Sequence, residues 1–509
     1  MARYKDYNLD QMKMIPVSFE QQILPGSFEY SLSYLIDHEL DLSQFDNVYR
    51  NDGNGRPAYD PRLLLKIILL AYSKGITSSR KIERLCRENI IFMALSADLR
   101  PDHSTVAEFI SRSPESIAQL FSQVVLMCDQ LGLIGREMFA IDGCKLPSNA
   151  SKEWSGTHAE LKKKRLKIDR AVRRMLQRHR EQDSREQSLE MLERETEQIR
   201  KLRAVSRKIK RFLETESERK GVSGKTVKSN ITDNDSAKMR TAHGVIQGYT
   251  GVASVDEKHQ VVVHAEAFGQ GQEHGLLKPM IEGIRKTFET SEGKDRLEKT
   301  KITADSGYHN REMLEYLEEE AIDGYIADTG FRSRDPRFRD HKTAKERNKR
   351  QEKARFTQAE FRIDRENGTC HCPAGKAMWL KARRARIGHH LFMQFQGYEN
   401  ECNHCGMRKR CLRNPDQKTP RQINVTLDIS GEHKAGIIER MKRKIDSPAG
   451  RHIYSQRLGT VEPVFAHITD AMGIRRFSLR GKRKVDGQWK LMMLLHNIMK
   501  IHRYGWEWA

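Results

Sequence analysis

The chain has 509 residues, 37% of them hydrophobic, and 91 Lys and Arg against 69 Asp and Glu, a formal net charge of +22. That length exceeds one ordinary core, so two to four domains are expected. The basic surplus points to a polyanionic partner, most often nucleic acid. The longest apolar stretch, Leu63 to Tyr72, is interrupted by Lys66 and too short to cross a bilayer, and MARYKDYNLDQMKM has no apolar signal core, so a soluble intracellular protein is expected.

Residues 1–135 read as an all-α N-terminal domain. Asp60-Pro61 opens PRLLLKIILLAYSKG, with proline in the first turn and Gly75 at the end. Apolar residues cover most of its surface, which predicts a buried central helix. Ser78 and Ser79 can cap a following helix, SSRKIERLCRENIIFMAL, and the turn at 102–105 precedes TVAEFISRS. Short helices with exposed Arg and Lys fit a helix-turn-helix-like DNA binder; a plain helical bundle fits as well.

Met138 to Ile141 reads as a short buried strand ended by Asp142-Gly143. Residues 158–220 are charged at helical spacing. Positions 161–180 hold ten bases and one acid, and 181–200 hold seven acids and three bases. Apolar residues recur at 161, 168, 172 and 175 and at 199, 202, 205, 209 and 212, the seam of an inserted helical hairpin. A solvated spacer and a DNA-contacting arm are both open. HGVIQGYTGVASVD and HQVVVHAEAFG predict two antiparallel strands, GLLKPMIEGIRKTFE a helix, KITADSGYHN a strand ending at Asp305, REMLEYLEEEA a helix and DGYIAD a strand. That order is an α/β sheet with antiparallel first strands. Residues 331–355, with eleven bases and four acids, predict a mobile basic loop. A small Cys-rich insertion follows, and then a helical C-terminus from about 458 to 503. The expected domains are 1–135, a core from 136–330 and 455–509, the hairpin 158–220, and the insertion 331–454.

Two carboxylates at strand ends would repel unless a cation lies between them. Hard oxygen ligands select magnesium or manganese, and two such ions could activate water and stabilise the leaving oxygen of a phosphodiester. Asp142 and Asp305 are the candidates, each before a small residue and a turn. Asp233, Asp235 and Asp256 lie in turn-like contexts and rank below them; His243, His264 and His274 receive no role. Five of the eight cysteines fall between 370 and 411. In a reducing compartment that clustering suggests metal, and Cys402-x2-Cys405 has the spacing of a zinc knuckle. Two of Cys370, Cys372 and Cys411 would complete four ligands; free thiols are the other reading.

The chain resembles bacterial insertion-sequence transposases of the DDE type. The resemblance is carried by GRPAYDPRLLLKIILLAYSKGITSSRKIE with PDHSTVAEF, by AIDGCKLPSNAS, by NITDNDS and GVIQGYTGVASVD, by ITADSGYHN, and by RLGTVEPVFAHIT, RRFSLRGKRKV and LLHNIMKI. It implies a ribonuclease-H-like catalytic core and a catalytic triad of Asp142, Asp305 and Glu462 holding two Mg2+ or Mn2+ ions. It also implies cleavage and strand transfer at terminal inverted repeats, with double-stranded DNA as element ends and as target, and a dimer on that DNA. No membrane and no small-molecule substrate are expected, and the place of action is the bacterial cytoplasm at the nucleoid. A catalytically inactive or domesticated DNA-binding protein is the alternative. Without the resemblance, Glu462, near the start of the expected helix TVEPVFAHITDAMG, reads first as a carboxylate complementing a helix N-terminus. The family's Tyr-x2-Arg-x3-Glu-x6-Lys pattern is altered here: Tyr454 and Arg457 keep the first spacing, four residues separate Arg457 from Glu462, and Thr469 replaces the lysine. Tyr454 and Arg457 are therefore candidate DNA contacts, with Arg475, Arg476 or Lys482 substituting for the lysine. A Cys-Pro-x-Gly turn common in the family matches Cys372 to Gly375, which favours Cys372, Cys402, Cys405 and Cys411 as the zinc set.

Overall fold

A computed structural model describes residues 16–48, 57–182, 189–220, 224, 226–288, 297, 299–338, 355–387, 390–427 and 431–505. These fall into two compact units, one built from residues up to Gly307 and from Gln456 onward, the other from Tyr308–Ser455.

The first unit opens with helices α1 (Phe28–Tyr34), α2 (Pro61–Ser73), α3 (Ser79–Glu88), α4 (Ile90–Leu95), α5 (His103–Arg112) and α6 (Pro114–Gln130). Asp60 caps α2 by accepting from the Arg62 amide, and Leu63 to Tyr72, Lys66 apart, are buried. Gly75 ends the run at φ +73, against the Met472 carbonyl, where a side chain would collide. The single helix expected over 78–95 is two. It breaks at Asn89, whose extended backbone stops α3 and whose side chain accepts from the Ile91 and Phe92 amides to start α4. A local cap outweighed the continuing apolar pattern.

The strands are β1 (Met138–Pro147), β2 (Ser155–Gly156), β3 (Ser229–Asn230), β4 (Ala237–Thr241), β5 (Gly244–Asp256), β6 (Val262–Phe268) and β7 (Lys301–Ala304). The main sheet runs β4-β5-β1-β7, with β6 also on β5. β1 is antiparallel to β5 and parallel to β7. One expectation is corrected here. β1 does not end at Asp142 but runs on to Pro147, because β5 keeps pairing with it as far as Gly248. What ends near Asp142 is the parallel neighbour: β7 stops at Ala304, opposite Ile141.

Between β2 and β3 rise α7 (His158–Gln182) and α8 (Leu189–Thr215). Leu161, Ile168 and Val172 of α7 meet Ile199, Ile209 and Phe212 of α8, with Met175, Leu202 and Val205 beside them. This is the seam predicted by the apolar spacing. After β6, α9 (Leu277–Phe288) leads to β7, and the helix Lys482–Tyr504 completes the unit. Its Trp489 donates to Val252 O (2.9 Å), and Asn497 exchanges two 2.8 Å hydrogen bonds with the Val262 backbone, satisfying part of the β6 edge. The N-terminal helices share this unit, and α6 packs on the Lys482–Tyr504 helix.

The second unit holds the helix Arg311–Glu319, strand β8 (Gly324–Ile326), a five-stranded antiparallel sheet and the helix Gly431–Asp446. That sheet, β9 (Arg362–Asp364), β10 (Thr369–His371), β11 (Ala377–Ile387), β12 (His390–Gly397) and β13 (Gln422–Thr426), gives the Cys-rich segment its own core of Phe356, Phe361, Met378, Met393, Phe395, Ile423 and Val425. The basic loop expected at 331–355 begins instead as the short helices Phe331–Arg334 and Pro336–Phe338, with Arg334 paired to Asp328 and Asp446. Residues 339–354 lie outside the described residues. Among the described residues, no helix is long and apolar enough to cross a membrane.

Candidate active site

Residues 138–141 pair in parallel with 301–304, so the next residue of each segment is an aspartate, Asp142 beside Asp305. Each accepts the following backbone N–H, Gly143 at 2.8 Å and Ser306 at 2.7 Å. The helix Pro448–Ala466 brings Arg457, whose side chain is only 6% exposed. Its Nη1 donates to Asp142 Oδ2 at 2.5 Å and its Nη2 lies 3.7 Å from Asp305 Oδ1. A buried guanidinium thus holds the two carboxylates whose mutual repulsion the sequence implied. Burial pushes the Asp142 carboxyl above its ordinary range; Arg457 opposes this, and the charge of Asp305 adds to it.

A residue without a motif joins them. Glu273, in the loop between β6 and α9, has its carboxyl pushed up to about 7, chiefly by burial and then by Asp142, with Lys145 and Arg457 opposing. A Cβ at Gly307 would lie 2.5 Å from Glu273 Oε2, and one at Gly143 would lie 3.4 Å from Oε1. Gly307, two residues after Asp305, therefore makes room for this acid, while at Gly143 a Cβ would meet Thr250 Cγ2 first, at 2.9 Å, with the acid at ordinary contact distance. The sequence signal available was those two glycines, in IDG and ADSG; the loop itself, GQGQEHG, reads as a turn.

The other expected site residues are placed as follows. Glu462 is not near the start of a helix: the helix begins at Pro448, fourteen residues earlier. It is exposed and, five residues beyond Arg457, sits about 140° round the helix from it. Tyr454 packs edge-on against Phe331, with ring centroids 5.1 Å apart. Arg475 pairs with Asp470 (3.2 Å), Arg476 donates to Asn149 Oδ1 (3.2 Å), and Lys482 pairs with Glu266 (3.0 Å). Asp233 accepts from the Tyr249 hydroxyl and the Gly481 amide, Asp235 from the Lys482 amide, and Asp256 from the Gly135, Arg136 and Lys258 amides. These three hold turns together, as their contexts suggested.

In the second unit Cys372, Cys402, Cys405 and Cys411 line one cavity of about 40 Å³. Burial pushes the Cys411 thiol up, Arg421 opposes this, and the thiols of Cys402, Cys372 and Cys405 add to it. Cys370 lies in the sheet core, its thiol 3.7 Å from Met378 Sδ. Among the described residues, no three His, Cys, Asp or Glu side chains are drawn together closely enough, as they stand, to hold a metal ion. By donor type the first site suits a hard divalent cation and the second a thiolate-binding one.

Two protein families match the chain. Residues 17–112, which include helices α1 to α5, match "Transposase domain (DUF772)". Residues 371–502, which carry the cysteines, Arg457 and Glu462, match "Transposase DDE domain". No curated protein matches. The two matches, one towards each end of the chain, indicate an insertion-sequence DDE transposase.

Proposed function

We propose that this transposase binds the terminal inverted repeats of its element and, with divalent metal, cleaves phosphodiesters there and joins the freed 3′ ends to target DNA. The observation that carries the reading is the side-by-side placement of Asp142 and Asp305 by the parallel register of β1 and β7. The strand order β6-β5-β1-β7, antiparallel except for β7 on β1, supports a ribonuclease-H-like core.

Asp142 and Asp305 would hold Mg2+ or Mn2+ between them. When bound, the metal supplies an activated water and charge stabilisation for in-line phosphoryl transfer. Arg457 positions both carboxylates and is itself suited to a phosphate oxygen. Its ion pairs compensate part of the charge of the two carboxylates before metal and DNA arrive. The family's third acid corresponds to Glu462, which must reach the aspartates by a change in its helix if it shares their task.

DNA affinity would come from basic surfaces, including Arg80, Lys81, Arg84 and Arg87, which are exposed on α3. Two element ends acting together imply a dimer on DNA. One structural zinc ion would need the four thiols that line the cavity drawn closer together than they stand.

The test is cleavage of a supercoiled plasmid carrying the element ends, with and without Mg2+. Asp142→Asn and Asp305→Asn should lose cleavage and keep end binding, since cations and not these acids supply affinity. Cleavage by either variant at the parent rate would remove that residue from the active site. End binding without any cleavage by the parent would favour the inactive DNA-binding alternative.

A further inference from the structure

We propose that the outward face of α7, in the helical hairpin, is a phosphate track that holds duplex DNA without reading its sequence. The inference rests on the DNA-binding reading above and gives it a further surface, apart from α3 and the aspartate-bearing strands. Three observations carry it.

The first is where the charge lies. Residues 161–178 and 193–213 hold 17 Lys and Arg against four Asp and Glu, a surplus of 13 out of the chain's +22. The seam between the helices uses little of it. The seam is apolar beside Asp169, which accepts from the Ser206 hydroxyl at 2.5 Å and lies 3.7 Å from Arg165. A hairpin kept only as a solvated spacer would be expected to mix its signs, since like charges three or four residues apart repel along a helix.

The second is the pattern on α7. Lys163, Lys167, Arg170 and Arg174 follow at steps of four, three and four residues, and all are exposed. At 3.6 residues per turn they fall in a stripe about 60° wide, at least about 100° round the helix from Leu161, Ile168 and Val172 of the seam. The row is about 16 Å long, and one strand of a duplex passes a phosphate about every 3.4 Å of its axis, so the row runs alongside about five phosphates. Lys162 and Arg173, also exposed, flank it on one side.

The third is that this face is unspent. None of these six cations has an ion pair or a side-chain hydrogen bond among the described residues. The one acid of α7 between Leu161 and Arg178 is Asp169, already held by Ser206. On α8 the corresponding cations are partly taken: Arg200 and Lys201 pair with Glu197 at 2.6 and 3.6 Å, and Lys210 with Glu214 at 3.8 Å. A polyanion laid along α7 relieves the repulsion within the row, and guanidinium groups such as Arg170 and Arg174 suit phosphate oxygens.

The experiment compares the full-length parent with two quadruple variants. One carries Lys163→Gln, Lys167→Gln, Arg170→Gln and Arg174→Gln; the other carries Arg200→Gln, Arg203→Gln, Arg207→Gln and Arg211→Gln. Both lose the same charge from the same hairpin, so net charge alone predicts equal effects. Fluorescence anisotropy measures binding to an element-end duplex and to an unrelated duplex of equal length over a salt series, and melting temperatures are recorded without DNA. The α7 variant should bind both duplexes about tenfold or more weakly, with an unchanged preference between them and a log–log salt slope shallower by about three to four. The α8 variant should stay within about threefold of the parent, and the α7 variant should melt at or above the parent temperature. An α7 variant within about threefold of the parent overturns the proposal, as do equal losses in the two variants, which mean bulk charge. A loss confined to the element-end duplex overturns it by assigning the row to base reading, and melting below the parent by assigning it to the stability of the hairpin. A parent that binds both duplexes alike refutes recognition of the element ends, and the unrelated duplex still decides the α7 row. A parent that binds neither duplex refutes both.

Discussion

Replacing Arg457 with methionine keeps much of the side-chain length and removes the one charge that bridges the two aspartates. Its partners differ in exposure: Asp142 is 19% exposed and Asp305 42%. Leaving one member of a buried pair behind costs about 3–5 kcal/mol, and that range applies to Asp142. Asp305 is well solvated and contributes at most about 1 kcal/mol. Asp142, already pushed up by burial, can relieve part of its own cost by taking a proton. The expected loss at neutral pH without divalent metal is therefore about 3 kcal/mol. Urea unfolding followed by tryptophan fluorescence measures it, with buried Trp489 as a reporter in the same unit. Mn2+ supplies the missing positive charge, so it should stabilise Arg457→Met more than the parent. A loss of only about 0.5 kcal/mol, the value of an exposed pair, would refute the reasoning, as would equal Mn2+ increments in the two proteins.

His496, which is buried, and His264, which is part-buried with its Nε2 enclosed, are each pushed down to about 3 by removal of the ring from water. They stay neutral in the fold and charge on unfolding below about 6.5, so stability present above that pH falls as pH drops towards 3, by up to about 1.4 kcal/mol per unit for each; His264→Leu should flatten the slope of stability against pH by about that amount, and an unchanged slope would remove His264 from the account. Elemental analysis of protein prepared without chelator should find roughly one zinc per chain on the four-thiol count, and Cys402→Ser should lose it; zinc-free parent protein would leave a cavity lined by free thiols. Binding to the element ends should fall with salt at a log–log slope of about −5 or steeper if six or more phosphates are contacted, measured by anisotropy over a salt series; a shallow slope would mean that the +22 surplus is not spent on phosphate.

The parts of the fold that were readable share a cause: their signals are local and repeated. The α2 run, the seam of α7 and α8, and the pairing of β5 with β6 each follow from apolar spacing between clear turns. Asp142 and Asp305 were legible because short apolar strands lead into them. The start of the helix bearing Arg457 was not, since Gly459 and Thr460 look like a cap while the helix enters at Pro448 behind Ser447. The sheet of the cysteine segment was hidden by its composition: β11, AMWLKARRARI, alternates but spends its outer face on charge. Glu273 was illegible for a different reason. It belongs to a polar loop without periodicity, and its meaning comes from the aspartates 131 positions before it and 32 after it. No window along the chain contains that relation.

The length of β7 carries a consequence for how such a chain can change. Four residues, Lys301–Ala304, fix the second aspartate against the first. Removing or adding one residue inside that strand would turn Asp305 to the other face of the sheet and leave Asp142 next to a residue with no acid. A segment gained or lost between Phe288 and Lys301 leaves the strand pairing free to hold. The same holds for the hairpin between β2 and β3, two strands that pair with each other in a separate two-residue ladder, so that it can lengthen without shifting β1. Insertions are thus tolerated around the two aspartate-bearing strands and forbidden within a stretch of four residues.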